Sequence, residues 1–248
     1  MIKGILFDKD GTLVDFFSLW LGAAEEVTGE FLRKNSMPED REMREYIMEA
    51  MGIKNNKADP KGGLAYKSYA EIAKDLEKAL SKKNISISVR EIGAQLEGMF
   101  TQYISGDDVC YIETADLKVL LEKLKRMEIY IGLATADTLY SALKCLESLN
   151  ILAEFDYIGA DDGVKRPKPY SDMFQEFQEK FSLKPEEIAV VGDTCNDMVF
   201  ARQNGGIGIG VLSGVSKRED FGKEADYILA SVEGLPAFLK ELQNRQEE

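Results

Sequence analysis

Carboxylates paired across short turns are the first residues in this chain whose spacing could do chemistry. Asp8-Lys9-Asp10-Gly11-Thr12 sets two acids two residues apart, directly after the apolar run Ile2-Lys3-Gly4-Ile5-Leu6-Phe7. Two such side chains just past a strand can point the same way, and Gly11 permits a sharp backbone turn. Gly192-Asp193-Thr194-Cys195-Asn196-Asp197 follows another apolar run, Glu187-Ile188-Ala189-Val190-Val191. If Asn196 and Asp197 open a helix, Asp193 and Asp197 face one direction, and such acidic oxygens suit Mg2+. Leu133-Ala134-Thr135-Ala136-Asp137 offers a hydroxyl and backbone N–H groups that can hold a phosphoryl oxygen. In Lys165-Arg166-Pro167-Lys168-Pro169 a proline on each side restricts the backbone around Lys168, whose compact charge can neutralise phosphate. Each cluster also has a plain reading: an Asp/Gly turn, a helix capped by Asp137 or Thr135, a solvated basic loop, an N-capping group. Together they gather Asp8, Asp10, Asp193 and Asp197, which would repel one another without a cation. A divalent metal together with Lys168 resolves that repulsion and leaves room for an anionic substrate.

The elements that must position these clusters can be read from hydrophobic period. Strands are expected at Ile2 to Phe7, Ile129 to Ala134, Phe155 to Gly159 and Glu187 to Gly192, with shorter ones at Ile207 to Leu212 and Tyr227 to Leu229. Helical stripes alternate with them: Leu117, Leu120, Leu121, Leu124 and Met127; then Leu139, Leu143, Leu146 and Leu149; then Met173, Phe174, Phe177 and Phe181; finally Leu235 to Leu242, with a frayed tail after Gln243. Strands alternating with helices predict an α/β fold, a Rossmann-like doubly wound and mostly parallel sheet. Ligands of such sheets sit at the carboxyl ends of the strands, where all four clusters fall. Between the first two strands lies a long, almost wholly helical stretch, interrupted by loops at Asn35 to Pro38 and Gly52 to Gly63. The expected division is a core of residues 1–15 and 110–248 and an inserted all-helical domain of residues 16–109.

Bulk properties narrow the chemistry. The 248 residues are 44% hydrophobic and 30% charged, as in ordinary globular proteins, with a formal net charge of -13. That charge repels nucleic acid and anionic lipid, and no run is long and apolar enough to span a membrane. Without a secretory pattern, a cytoplasmic protein is expected. The chain contains no histidine, which removes Ser-His-Asp and Cys-His catalysis and histidine metal sites. Cys110, Cys145 and Cys195 are widely spaced and read as free thiols. Trp20 and the pair Phe16-Phe17 read as packing. Gly205-Gly206-Ile207-Gly208-Ile209-Gly210 fails the dinucleotide spacing and follows a helix instead of a strand.

In order, spacing and strand-end placement, the four clusters resemble the motifs of the haloacid dehalogenase superfamily: D-x-D-G-T, a Ser/Thr motif, a lysine motif and G-D-x-x-x-D. The insertion is similar in position and helical character to the cap of its phosphoglycolate phosphatase-like branch. The resemblance implies a Mg2+-dependent phosphatase acting on a small phosphorylated metabolite through a phosphoaspartate. Asp8 would be the nucleophile, and Asp10 the acid and then the base, with its backbone carbonyl on the metal. Thr135 and the Ala136 amide would hold the phosphoryl group. Lys168 would balance charge between Asp8 and phosphate; it is preferred to Lys165 because Lys-Pro matches the family pattern. Asp8 and Asp193 would ligate Mg2+, with Asp197 binding it directly or through water. Ala136 departs from the polar residue or Gly that many relatives carry. A sugar phosphomutase would use the same residues, and a catalytically idle metal- and phosphate-binding regulator is the alternative of another class. A dehalogenase or a P-type ATPase fits less well, since Asp10 is present and membrane spans are absent. A monomer or homodimer without a nucleic-acid or membrane partner is expected. Choice of leaving group is expected to lie in the inserted domain, above all in the loop bearing Lys54, Lys57 and Lys61 with the single acid Asp59.

Overall fold

Numbered along the chain, the elements are β1 (Gly4–Phe7), α1 (Phe16–Lys34), α2 (Arg41–Ala50), β2 (Ile53–Lys54), β3 (Lys57–Ala58), α3 (Gly63–Tyr66), α4 (Tyr69–Lys82), α5 (Val89–Ser105), α6 (Leu117–Arg126), β4 (Tyr130–Thr138), α7 (Leu139–Ser148), β5 (Tyr157–Asp161), α8 (Asp172–Phe181), β6 (Ile188–Gly192), α9 (Cys195–Gln203), β7 (Ile207–Val211), β8 (Tyr227–Leu229) and α10 (Leu235–Glu247). This computed structural model describes residues 1–55, 57–59, 62–106 and 109–247. The chain divides into two compact units, Met1–Asp15 with Tyr111–Glu248, and Phe16–Cys110, so that Cys110 falls in the inserted unit.

In the first unit six strands form one sheet in the order β5-β4-β1-β6-β7-β8, every pairing parallel. This is the expected doubly wound α/β sheet. The alternation of side chains along each strand sends Ile5 and Phe7 to one face and Leu6 to the other. On the first face Ile131, Leu133, Val191, Ile209 and Val211 join them, covered by Leu120, Leu121 and Leu124 of α6 and Leu235 and Leu239 of α10. On the second face Leu6 and Val190 meet Met173, Phe174 and Phe177 of α8 and Phe200 of α9. Each such large apolar side chain, withdrawn from water, contributes about 1.5–3 kcal/mol before entropy is counted. Helix ends are specified locally: Asp116 caps α6 by accepting the Val119 N–H at 3.1 Å.

Because β1 is central, with β4 on one side and β6 on the other, the chain reverses its direction of travel across the sheet at β1. The carboxyl ends of β1, β4 and β6 therefore flank one crevice. Several boundaries differ from the sequence reading by a residue or two, and three of the differences are of note. β4 runs on through Thr138, with a register irregularity between Ala134 and Thr138. β5 begins at Tyr157 instead of Phe155, because Leu152–Glu154 forms a 3-10 turn and the Asp156 carboxylate accepts the Ile131 N–H at 2.8 Å, ahead of the ladder. α10 continues to Glu247, through the tail expected to fray.

Among its described residues the inserted unit has helices and one two-residue ladder, pairing Ile53 with Ala58 and Lys54 with Lys57. Asn55, in the left-handed conformation at φ 51°, turns the chain inside what was expected to be an open loop. Its core is built by Leu19, Trp20, Val27 and Phe31 of α1, Leu76 of α4 and Phe100 of α5. Trp20 and Tyr69 both pack on the Phe100 ring, at 5.6 and 5.3 Å, a packing role as expected. Lys61 of the expected specificity loop lies outside the described residues.

Candidate active site

Asp8 continues the β1 ladder, donating its N–H to the Val191 carbonyl of β6 at 2.8 Å. Its carboxyl is thus fixed beside the end of β6, where Asp193 and then α9 begin. Thr194 caps α9 in a reciprocal box: Asp197 Oδ2 accepts the Thr194 N–H at 3.1 Å and the Thr194 hydroxyl at 2.7 Å. The remaining Asp197 oxygen, Oδ1, meets Lys168 Nζ at 2.5 Å, and the same ammonium meets Asp8 Oδ1 at 2.7 Å. One Asp197 oxygen thus serves the start of α9 and the other faces Lys168. Lys165 points elsewhere, pairing with Asp162 at 2.7 Å and Glu176 at 3.5 Å.

Asp8, Asp193 and Asp197 each offer a carboxylate oxygen within 4.8 Å of the others, and all three are buried. Three carboxylates against the one ammonium of Lys168 leave two uncompensated negative charges when all are ionised. Burial pushes the Asp8 carboxyl up to about 7 against the opposing pull of Lys168. Burial, with the charges of Asp8 and Asp197, holds Asp193 well above the usual carboxylate range. Burial also works against the charge on Lys168, but Asp197 and Asp8 outweigh it and keep the ammonium protonated.

The residues fit a divalent cation. Asp193 Oδ2 accepts the Val215 N–H at 2.8 Å, whereas Asp193 Oδ1 is buried without a hydrogen-bond partner. A buried carboxylate oxygen left unsatisfied is costly, and a cation would satisfy it. Space around the Asp193 carboxyl group is kept by glycine: a Cβ on Gly11, itself at φ +79°, would lie 2.3 Å from Asp193 Oδ2, and one on Gly214 would lie 2.0 Å from the same oxygen. Ser213 donates to the Gly11 carbonyl at 2.8 Å, tying the two loops together.

The other sequence-picked residues form a neighbouring group. Thr135 is buried on β4, next to β1, and its Oγ1 accepts the Asp137 N–H at 3.2 Å. Ala136 lies beside it, half-buried. Thr138 caps α7, its hydroxyl accepting the Ser141 N–H at 3.3 Å, so neither Thr135 nor Asp137 is the cap. The Asp10 side chain stands apart from the three-carboxylate cluster and turns to Lys9, whose Nζ meets Asp10 Oδ1 at 2.7 Å and Asp137 Oδ2 at 3.2 Å.

The sequence pattern of the haloacid dehalogenase-like hydrolases matches residues 2–205, from β1 to the end of α9. The chain belongs to the haloacid dehalogenase-like hydrolases. Among similar proteins, the glyceraldehyde 3-phosphate phosphatase of Methanocaldococcus jannaschii is 26% identical over 98% of this chain and 99% of its own. The phosphoglycolate phosphatase of Shigella dysenteriae is likewise 26% identical, over 94% and 91% of the two chains. The fold is shared with β-phosphoglucomutase of Clostridium difficile, at a TM-score of 0.67 and 19% identity over 99% of each chain.

For this hydrolase, sequence reasoning passed over Lys9, Ser141 and the Ser213 to Val215 loop. Lys9 carried a signal, a charged residue inside a buried strand-end motif. Ser213 to Val215 carried none, since their part is played by backbone groups and by missing side chains.

Proposed function

We propose that the chain is a Mg2+-dependent phosphatase that hydrolyses a small phosphate monoester through a phosphoaspartate on Asp8. The observation that carries this reading is the buried set of Asp8, Lys168, Asp193 and Asp197, with Asp193 Oδ1 unsatisfied. Asp8, Asp193 and the Asp10 carbonyl would hold Mg2+, with Asp197 beside it or reaching it through water; when bound, the ion neutralises charge on phosphate and on the attacking carboxylate.

In this reading the free oxygens of the substrate phosphate meet the Thr135 hydroxyl and the Ala136 N–H. Lys168 holds the Asp8 carboxylate ionised and oriented while it attacks phosphorus. Asp10 protonates the leaving oxygen, then takes a proton from the water that attacks the phosphoaspartate. Transfer of this kind needs mainly positioning and charge neutralisation, which the set supplies. The phosphatase names carried by the relatives from Methanocaldococcus jannaschii and Shigella dysenteriae support a small phosphorylated metabolite as substrate.

A panel of small phosphate esters assayed with Mg2+ tests the proposal. Inorganic phosphate should be released from at least one metabolite, and chelation should abolish the release. Conversion of a sugar phosphate to its isomer without phosphate release would favour a mutase instead. Absence of turnover on every ester, with metal bound, would favour a regulator.

A further inference from the structure

Lys9 lies between the two aspartates of the first motif, yet its side chain is completely buried. Withdrawing an ammonium from water is costly unless charges and hydrogen bonds replace its hydration. An apolar side chain of the same length would avoid that cost, so the pairing that offsets it is informative. The ammonium bridges Asp10 Oδ1 at 2.7 Å and Asp137 Oδ2 at 3.2 Å. Asp137 is itself fixed from two sides: the Ser141 hydroxyl donates to Oδ2 at 2.5 Å and the Thr138 N–H to Oδ1 at 3.0 Å. The Asp137 N–H in turn donates to Thr135 Oγ1 at 3.2 Å. The backbone of Lys9 anchors the turn as well, its carbonyl accepting the Leu13 and Val14 N–H groups at 2.9 and 3.1 Å.

We propose that Lys9 and Asp137 are positioning residues: their buried ion pair ties the Asp10 carboxyl, through the β4–α7 junction, to the residue proposed to hold the phosphoryl group. Asp10 lies in the turn after β1, and its side chain, though mostly covered, keeps an exposed edge. Without an anchor such a side chain samples several rotamers, and an acid displaced from the leaving oxygen loses most of its catalytic effect. Lys9 reaches one oxygen of Asp10 from inside the core, so its hold does not depend on substrate. Neither positioning residue touches the reacting atoms. The inference rests on the reading of Asp10 as the acid that protonates the leaving group.

Leaving groups separate positioning from bulk stability. p-Nitrophenolate departs readily without a proton, whereas phenolate, the stronger base, depends on the acid. kcat/KM with Mg2+ is measured for p-nitrophenyl phosphate and phenyl phosphate in the wild type, in Asp10→Asn, and in the double variant Lys9→Met/Asp137→Leu. Replacing a buried ion pair by apolar side chains of similar volume is generally tolerated by a fold, and a thermal melt verifies this. The double variant should lose about tenfold or more on phenyl phosphate relative to p-nitrophenyl phosphate, approaching the ratio in Asp10→Asn. Lys9→Gln, which removes the ammonium's hold on Asp10 and keeps a polar group between the two carboxyls, supplies the same comparison if the double variant does not fold. Proportional losses on both esters, or an unmoved ratio, in whichever of these variants folds would overturn the proposal. A ratio unmoved by Asp10→Asn itself would overturn the acid reading of Asp10 as well, and is thereby told apart from a failure confined to Lys9.

Discussion

Among single residues, the chemistry depends on which carboxylates carry protons and which carry the reaction. Replacing Asp8 by Asn keeps shape and removes the nucleophile, so phosphate release should fall by roughly 10^3-fold or more while the fold persists. Comparable turnover in the variant would remove Asp8 from the mechanism. The raised carboxyls make a second prediction. A carboxyl whose pKa is higher in the fold than in the unfolded chain binds its proton more tightly when folded. Its contribution to stability is therefore full at low pH and is lost as pH rises from the ordinary value of 3.8 toward about 7, the value for Asp8. A divalent cation at Asp8 and Asp193 counters that loss. The gain in Tm produced by Mg2+ should thus grow between about pH 5 and about pH 8. A gain independent of pH in thermal melts would contradict the placement of the ion at these carboxylates.

At the scale of elements, the motif residues were legible because strand ends and helix starts announce themselves in hydrophobic period and capping chemistry. Asp8 and Asp193 could be placed from their strands alone, and Asp197 from the helix it opens. What period could not show is the reach of β4 past Ala134 or the short ladder at Ile53–Lys54 and Lys57–Ala58, where few residues are involved and local turns decide. Nor could it show the loop after β7, which works through the Val215 N–H and the absence of a side chain on Gly214. Gly214→Ala should push against Asp193, lowering Mg2+ affinity about 10- to 100-fold in titration calorimetry, as loss of a metal site's supporting shell does. Unchanged affinity would show that Asp193 is not held by this loop. In the ladder, Lys54 pairs with Glu49 at 2.5 Å, while Lys57 is exposed. If the inserted unit selects the substrate through charge, Lys57→Met should raise KM for a metabolite with a second negative group and spare a neutral aryl phosphate. Equal effects on both substrates would assign the ladder a structural part only.

At the scale of the whole molecule, a central strand flanked by β4 and β6 brings motifs from positions 8, 168, 193 and 197 into one buried cluster. The alternation of strands and helices along the chain carried the fold class, because parallel strands joined by crossover helices put their carboxyl ends on one side. Lys9 stood out as a charge inside a strand-end motif, but its buried pairing with Asp137 was not legible, since the two are distant in sequence until the fold brings them together. Among the described residues no helix is long and apolar enough to cross a membrane. Phosphorylation of Asp8 is tested by mixing the Mg2+-loaded enzyme with a phosphate ester bearing radiolabelled phosphorus and quenching in acid during the first turnovers. Label should be bound to the protein, be released by hydroxylamine as from an acyl phosphate, and be absent from Asp8→Asn. Product formed with no labelled protein at any quench time, or label persisting in Asp8→Asn, would contradict phosphorylation of Asp8.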